Sequence, residues 1–321
     1  SGNITGYSNS TVPGALISQM LTNSSLNSDS VIYHLTPENS GCPGSITNYT
    51  VVVFPVPDVY FNPNGETVCE GVTSMIQNLS HTIGATYSWT ATASSPNLTG
   101  YSNGTGDLIA QTIDNAGSTI EWVTYQVTPT ANGCPPGTTM PVILTVNPRP
   151  VVTSVPTRQS ICNGQVSNLS LLADVPGSTF AWRAFSSSPA VTGFSDGSGF
   201  TIAQTLVNSG FSIDSVIYRV AGTANSCPGD STDIHVVVFP VADVIFTPAS
   251  EELCSGETTG IALTSNIANS NYAWTAIGSS PDVTGYSGGS GTLIQQTLIN
   301  SGFMIPTVTY QVTPTANGCT G

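Results

Sequence analysis

The stretch Thr99-Gly100-Tyr101-Ser102-Asn103-Gly104-Thr105-Gly106 returns at Thr192 to Gly199 and at Thr284 to Gly291, and in degraded form at Thr5 to Thr11. Its leading glycines, Gly6, Gly100, Gly193 and Gly285, are 94, 93 and 92 residues apart. That period is too long for a solenoid unit and suits one small domain. The 321 residues therefore read as a unit copied about three and a half times: a partial repeat at 1–56, complete repeats at 57–149 and 150–241, and a repeat at 242–321 that lacks its last strand.

Inside each copy the hydrophobic period is two. Thr86-Tyr87-Ser88-Trp89-Thr90-Ala91 puts Tyr87 and Trp89 on one face, and Phe180 with Trp182 and Tyr272 with Trp274 repeat the pair. Val123, Tyr125 and Val127 share a face of a later strand, copied as Val216, Tyr218, Val220 and as Val308, Tyr310, Val312. About seven short strands, a core Trp on the third and a Tyr near the start of the sixth predict an all-β, immunoglobulin-like sandwich for each repeat. Two or three residues with a proline separate successive repeats, as at Val146-Asn147-Pro148 and Val238-Phe239-Pro240, so the tandem sandwiches are expected to join stiffly into an extended rod. One position resists the alternation. Gln19, Gln111, Gln204 and Gln296 fall on the buried face of their strand, so either a bulge turns each outward or its amide is hydrogen-bonded to backbone inside the sandwich.

Composition narrows the function. Charged residues are 7% of the chain, net charge is −14 and apolar content is 39%, so solubility rests on Asn, Ser, Thr and Gly. All four basic residues are arginines, which leaves no Schiff-base amine, P-loop lysine or Lys–Asn isopeptide bond, and no phosphate-tracking surface for nucleic acid is expected. No run approaches the roughly 18 apolar residues of a membrane span. Ser1-Gly2-Asn3-Ile4 lacks the features of a signal peptide, and Ser1 aligns with Ser95 and Gly321 with Pro136, so the chain reads as a segment of a longer secreted polypeptide.

Gly100 to Gly104, Gly193 to Gly197 and Gly285 to Gly289 fit the G-x-S-x-G of a hydrolase nucleophile elbow. An elbow needs a strand-to-helix turn and a histidine base, whereas His34, His81 and His235 stand at non-equivalent positions, so a hairpin turn is expected and no catalytic residue is assigned. The cysteines come singly and the carboxylates are scattered, so no metal or cofactor is assigned. Asp58, Glu66 and Glu70, and Asp243, Glu251 and Glu252, crowd near repeat boundaries; a solvated acidic rim is favoured there over a junction calcium. Trp122, the one tryptophan without a copy, is read as a partly buried residue at a sheet edge rather than as a sugar platform. By this reading the cores are copied while no polar constellation is.

The phrase Tyr125-Gln126-Val127-Thr128-Pro129-Thr130-Ala131-Asn132-Gly133-Cys134, repeated at Tyr310 to Cys319, and the turn Cys254-Ser255-Gly256 resemble the PKD-like and Ig-like repeats of giant cell-surface proteins in Bacteroidota. The resemblance covers essentially the whole chain. It implies a non-catalytic structural and adhesive stalk of a secreted surface fibre, of the kind exported by type IX secretion and in some members associated with gliding motility. Its partners would be neighbouring repeats, and surface polysaccharide or other cells. The alternative is a spacer or carbohydrate-binding array attached to a secreted hydrolase. The resemblance also implies O-glycosylation at Asp-Ser/Thr followed by a small or aliphatic residue, which makes Ser30, Ser215 and Ser231, in loop-like settings, candidate sites.

The seven cysteines fit an oxidising, extracellular compartment and form two series: Cys69, Cys162 and Cys254 before the second strand, and Cys42, Cys134, Cys227 and Cys319 after the sixth. Counting alone would pair Cys69 with Cys134, Cys162 with Cys227 and Cys254 with Cys319, each 65 residues apart. Sandwich topology places the two series at opposite ends of a domain, about 40 Å apart, while a disulfide spans Cα atoms within about 7 Å. It brings the first-series cysteine of one repeat to the second-series cysteine of the next. The expected pairs are Cys69–Cys227 and Cys162–Cys319, with Cys42, Cys134 and Cys254 bonded to repeats outside the segment or left free.

Overall fold

The computed structural model describes residues 2–10, 12, 14 and 16–321, so the degraded motif copy is described only to Ser10, and Ser1 lies outside the described residues. The described residues form strands and turns, and no helix is long and apolar enough to cross a membrane. Two compact units, Ser1–Arg149 and Pro150–Gly321, each hold two of the repeats.

The repeat at 150–241 gives the plan. Its strands are β1 (Val152–Val155), β2 (Arg158–Cys162), β3 (Leu169–Ala173), β4 (Thr179–Ser186), β5 (Val191–Thr192), β6 (Gly197–Ser198), β7 (Thr201–Ile202), β8 (Val207–Asn208), β9 (Asp214–Ala224), β10 (Cys227–Pro228) and β11 (Thr232–Phe239). One sheet runs β1-β3-β7 and the other β2-β11-β9-β4-β6, with β10 folded back on β9 and β5 clipped to β8. β1 and β2 are one extended segment that changes sheet at Pro156, which has no N–H to give to a ladder. Beyond it β2 runs parallel to β11, Cys162 opposite Phe239.

Alternation fixes which side chains meet. Phe180 and Trp182 of β4 and Val216, Tyr218 and Val220 of β9 point inward in one register, Trp182 opposite Val220, onto Leu169, Leu171 and Ile202 of the facing sheet. Each such fully buried side chain stabilises the sandwich by about 2 kcal/mol. The repeat at 57–149 follows the same plan, with Trp89 opposite Val127 and Glu66–Cys69 parallel to Met140–Asn147. The chain is thus a tandem array of immunoglobulin-like β-sandwiches.

The outer repeats are partial versions of it. Residues 1–56 pair Asp29–Leu35 with Thr47–Val53 and leave Leu21, Tyr33, Tyr49 and Val51 lining an open cavity of about 390 Å³. Residues 242–321 build Ile245–Thr247, Ile261–Thr264 and Leu293–Ile294 into one sheet, and Asn271–Gly278, Gly289–Ser290, Val308–Ala316 and Cys319–Thr320 into the other. Apart from the two-residue pairing of Cys319–Thr320 at Thr315 and Ala316, no described strand covers the other edge of Val308–Ala316. Residues 251–254, which match β2, accordingly form no strand, because β2 pairs only with β11.

Candidate functional site

The glutamine that broke the alternation is the hub of a copied hydrogen-bond cluster. Gln204 Oε1 accepts from Ser195 N and from the Tyr218 hydroxyl, each at 2.9 Å, and Gln204 Nε2 donates to the Ser195 carbonyl at 2.9 Å and to Ser195 Oγ at 3.1 Å. The amide thus imitates one rung of a β-ladder, tying the turn after β5 to the segment between β7 and β8. Tyr218, rooted on the inner face of β9, reaches it from beneath; burial pushes its hydroxyl up to about 12 and raises those of Tyr125 and Tyr310 as well. The same four bonds join Gln111 to Ser102 and Tyr125, Gln296 to Ser287 and Tyr310, and Gln19 to Ser8 and Tyr33. Of the two alternatives for this residue, the hydrogen-bonded amide is the one adopted.

This cluster also explains the G-x-S-x-G match. Ser195 is held by a carboxamide, which cannot take up its proton, and the Ser195 carbonyl accepts Trp182 Nε1 at 3.2 Å. Gly197 lies on that indole, where a Cβ would sit 2.6 Å from Trp182 Cζ2. A second polar device is copied beside it. Asn208 Nδ2 donates to the carbonyls of Ser212 and Val238 at 2.8 and 2.9 Å, and Asn115 and Asn23 make the equivalent pairs of bonds. The expectation that no polar constellation is copied is therefore corrected. The signal was present: Gln and Asn follow the first glycine of the motif by 11 and 15 residues in all three full copies.

The junction between 150–241 and 242–321 is built from three local frames. β2 sets Cys162 opposite Phe239, and three residues beyond Phe239 the Ala242 carbonyl lies against Gly321, where a Cβ would come within 2.0 Å of it. Gly321 N is bonded to the Pro314 carbonyl at 2.9 Å, which fixes the hairpin tip that carries Cys319. Ala242, Ile267 and Ala316 pack together beneath it. Cys162 and Cys319 meet there in a disulfide, with Cα atoms 5.6 Å apart and Cys319 only 1% exposed. Cys69 and Cys227 each belong to a disulfide, whereas Cys42, Cys134 and Cys254 carry free thiols.

The remaining candidates fall in varied settings. Ser30 and Ser215 are not in loops: both lie half-buried inside strands, opposite Val52 and Val237, while Ser231 is an exposed loop residue between β10 and β11. The acidic rim is a set of local latches. Asp58 accepts from Ser80 and His81 and its carboxyl is lowered, burial opposing the shift and these hydrogen bonds driving it; Asp243 accepts likewise from Ser265 and Asn266. Glu66 accepts Met75 N, Glu70 Arg149 N and Glu251 Gly260 N. Trp122 is 48% exposed and sits on an inner strand opposite Thr145, not at a sheet edge.

In sequence, the PKD-like domain family matches residues 1–57, 66–150, 159–242 and 251–321. No curated protein matches the chain. Among solved structures the chain is similar to Dpr2 Ig1-Ig2 in complex with DIP-Theta Ig1-Ig3, at 12% identity and TM-score 0.35 over 83% of this chain and 97% of that one. It is similar to titin domains A168-A170 at 11% identity and TM-score 0.29, covering 82% and 94% of the two chains. Drosophila N-cadherin EC1-4 is similar at 12% identity and TM-score 0.29, over 92% of this chain and 82% of its own.

Proposed function

The chain belongs to the PKD-like domain family, and on that premise we propose that it is a non-catalytic segment of a secreted surface stalk, in which stacked sandwiches hold a distal binding region away from the cell. The observation that carries this reading is the Cys162–Cys319 bond between consecutive repeats. Tension arriving at Cys162 passes to Cys319 through sulfur and bypasses the 157-residue interval between them, which holds most of the two cores. The sandwiches are then shielded from being pulled open strand by strand.

The same frame supports Cys69–Cys227 as the equivalent staple one repeat earlier. Cys69 stands opposite Asn147, three residues before Pro150, whose carbonyl lies against Gly229, two residues after Cys227. The interval also agrees, 158 residues against 157. Disulfides of this kind belong to an extracellular protein. A Bacteroidota-type surface fibre, exported by type IX secretion, is the finer form of the proposal and rests on the Tyr125 to Cys134 phrase and its copy. Of the glycan candidates Ser231 is best placed, being exposed in a loop; an unmodified intact mass of the native protein would remove it.

Single-molecule stretching from the two ends tests the stalk. The 157 residues locked by this staple correspond to roughly 500 Å of contour at about 3.3 Å per residue, so the reduced chain should extend at least that much further than the oxidised one. Equal extensions would refute the shielding role.

A further inference from the structure

Charge is scarce in this chain, so its clustering is informative. Three of the four arginines, Arg158, Arg183 and Arg219, are exposed on the outer face of the β2-β11-β9-β4-β6 sheet, together with His235. Arg183 stands directly opposite Arg219, and Arg219 opposite Asp233. Arg219 Nε and Nη2 donate to the two Asp233 oxygens, both at 2.8 Å, and its guanidinium lies 5.8 Å from the ring centroid of Phe185, itself 47% exposed. Arg158 faces His235 across β2 and β11. Like charges directly opposite one another destabilise a sheet. Among the described residues one carboxylate answers these three guanidiniums, and it is bonded to Arg219; Asp196, at the β6 edge, is engaged by Ala184 N.

The fold does not need these cations. On the same register the Arg183 and Arg219 positions hold Thr90 and Gln126 in the repeat at 57–149, and Thr275 and Gln311 in the repeat at 242–321. Beneath them Trp89, Trp182 and Trp274 are equally buried. The divergence is confined to the solvent face of one repeat.

We propose that this face binds a linear acidic polysaccharide through its carboxylates. Arg183 and Arg158 are the open forks, Arg219 is a fork that can trade Asp233 for a ligand, and Phe185 offers a ring to the apolar side of a sugar. Arg183 and Arg219 stand on neighbouring strands, whose backbones lie about 4.8 Å apart, the scale of one sugar ring, and Arg158 lies two strands from Arg219 on the same face. A second copy of this chain fits less well, because carboxylates such as Asp58, Glu66, Glu121, Asp174 and Glu257 already accept hydrogen bonds within their own repeats. With a net charge of −14 the chain as a whole repels a polyanion, so binding is short-ranged and weakens steeply with salt. The proposal is independent of the staple, which lies at the domain end rather than on this face.

The test titrates the full chain with polygalacturonate at low and high salt, with dextran as the neutral probe. The double variant Arg183→Thr with Arg219→Gln installs residues the sister repeats already carry, and unchanged thermal unfolding verifies its fold. The wild type should bind polygalacturonate and not dextran, and the double variant should bind about tenfold more weakly or worse. Thr90→Arg with Gln126→Arg, which transplants the pair, should strengthen binding. Failure of the wild type to bind, or equal binding by the double variant, would overturn the proposal. So would equally tight binding of duplex DNA or of anionic lipid vesicles, or a salt-sensitive self-association that the double variant abolishes.

Discussion

The repeats at 150–241 and 242–321 share a core plan, and within these 321 residues only the first is accompanied by its last strand, which separates devices that are local from those that are not. Beside β11, Val216, Tyr218 and Val220 are fully buried; Val308, Tyr310 and Val312, paired only with Asn271–Gly278 and with no described strand on their other side, are half-buried. Asn208 bonds two carbonyls, one of them on β11, whereas Asn300 Nδ2 keeps only Met304. β2 forms and presents Cys162 to a partner, while its counterpart is irregular and Cys254 is free. The glutamine cluster is intact in both, because the segment after β7, strand β9 and the turn after β5 carry it entirely. The clamp therefore belongs to the half-sandwich, and the staple belongs to the completed one.

Supplying the missing strand is the strongest way to erase the contrast. Extending the chain after Gly321 with the sequence of Asp230 to Pro240 should stabilise the 242–321 repeat by roughly 4 kcal/mol, from burial of Val308, Tyr310 and Val312 and of the new strand's inner face. Denaturant unfolding followed by Trp274 fluorescence measures it, and an unchanged midpoint would mean the open edge is not what sets this repeat apart. Removing the staple with Cys162→Ser and Cys319→Ser should cost about 3 kcal/mol, read as a lowered midpoint that reductant no longer shifts through this bond. Gln204→Ala strips partners from Ser195 and Tyr218 and should cost about 2 kcal/mol; because the clamp is local, Gln296→Ala should cost a similar amount. A much smaller effect at Gln296 would show that the clamp needs the last strand after all.

Alkaline pH sharpens the same comparison. The Tyr218 hydroxyl titrates at about 12 in the fold against 10.0 when unperturbed, burial being the cause. Between those values the native state holds a proton that the unfolded state has released, so this contribution is whole below about pH 10 and is lost as pH rises through about 12. Tyr310 is also raised, by burial first. Ultraviolet titration should show both ionising above the unperturbed 10.0, and ionisation of either at its ordinary value would contradict the burial that raises it. The smallest expected effect concerns a turn. Asn103 Oδ1 and Asp196 Oδ1 accept Ala91 N and Ala184 N at 2.8 and 2.9 Å, but Gly288 has no side chain to do so, and Trp274 Nε1 lacks a partner. Gly288→Asn should stabilise that repeat by about 0.5 to 1 kcal/mol, seen as a small rise in its midpoint.

The β-sandwich was legible because alternation and repetition constrain it twice: a one-residue error at Trp89 would have contradicted Trp182 and Trp274. The sheet-switching of β1 and β2 was not, since a proline such as Pro156 reads equally well as an end of strand. Gln204 was flagged by its place on a buried face, yet its partners were hidden, because Ser195 and Tyr218 are brought to it by pairings 9 and 14 residues distant that alternation does not encode. The arginine face was invisible to composition, which counts charges without saying that β2, β4 and β9 gather them.

A non-reducing peptide map of the native chain tests the central claim most directly. The account predicts a peptide joining Cys162 to Cys319 and another joining Cys69 to Cys227. A peptide joining Cys162 to Cys227, or Cys69 to Cys134, would place the bonds inside repeats and contradict the staple and the stalk built on it.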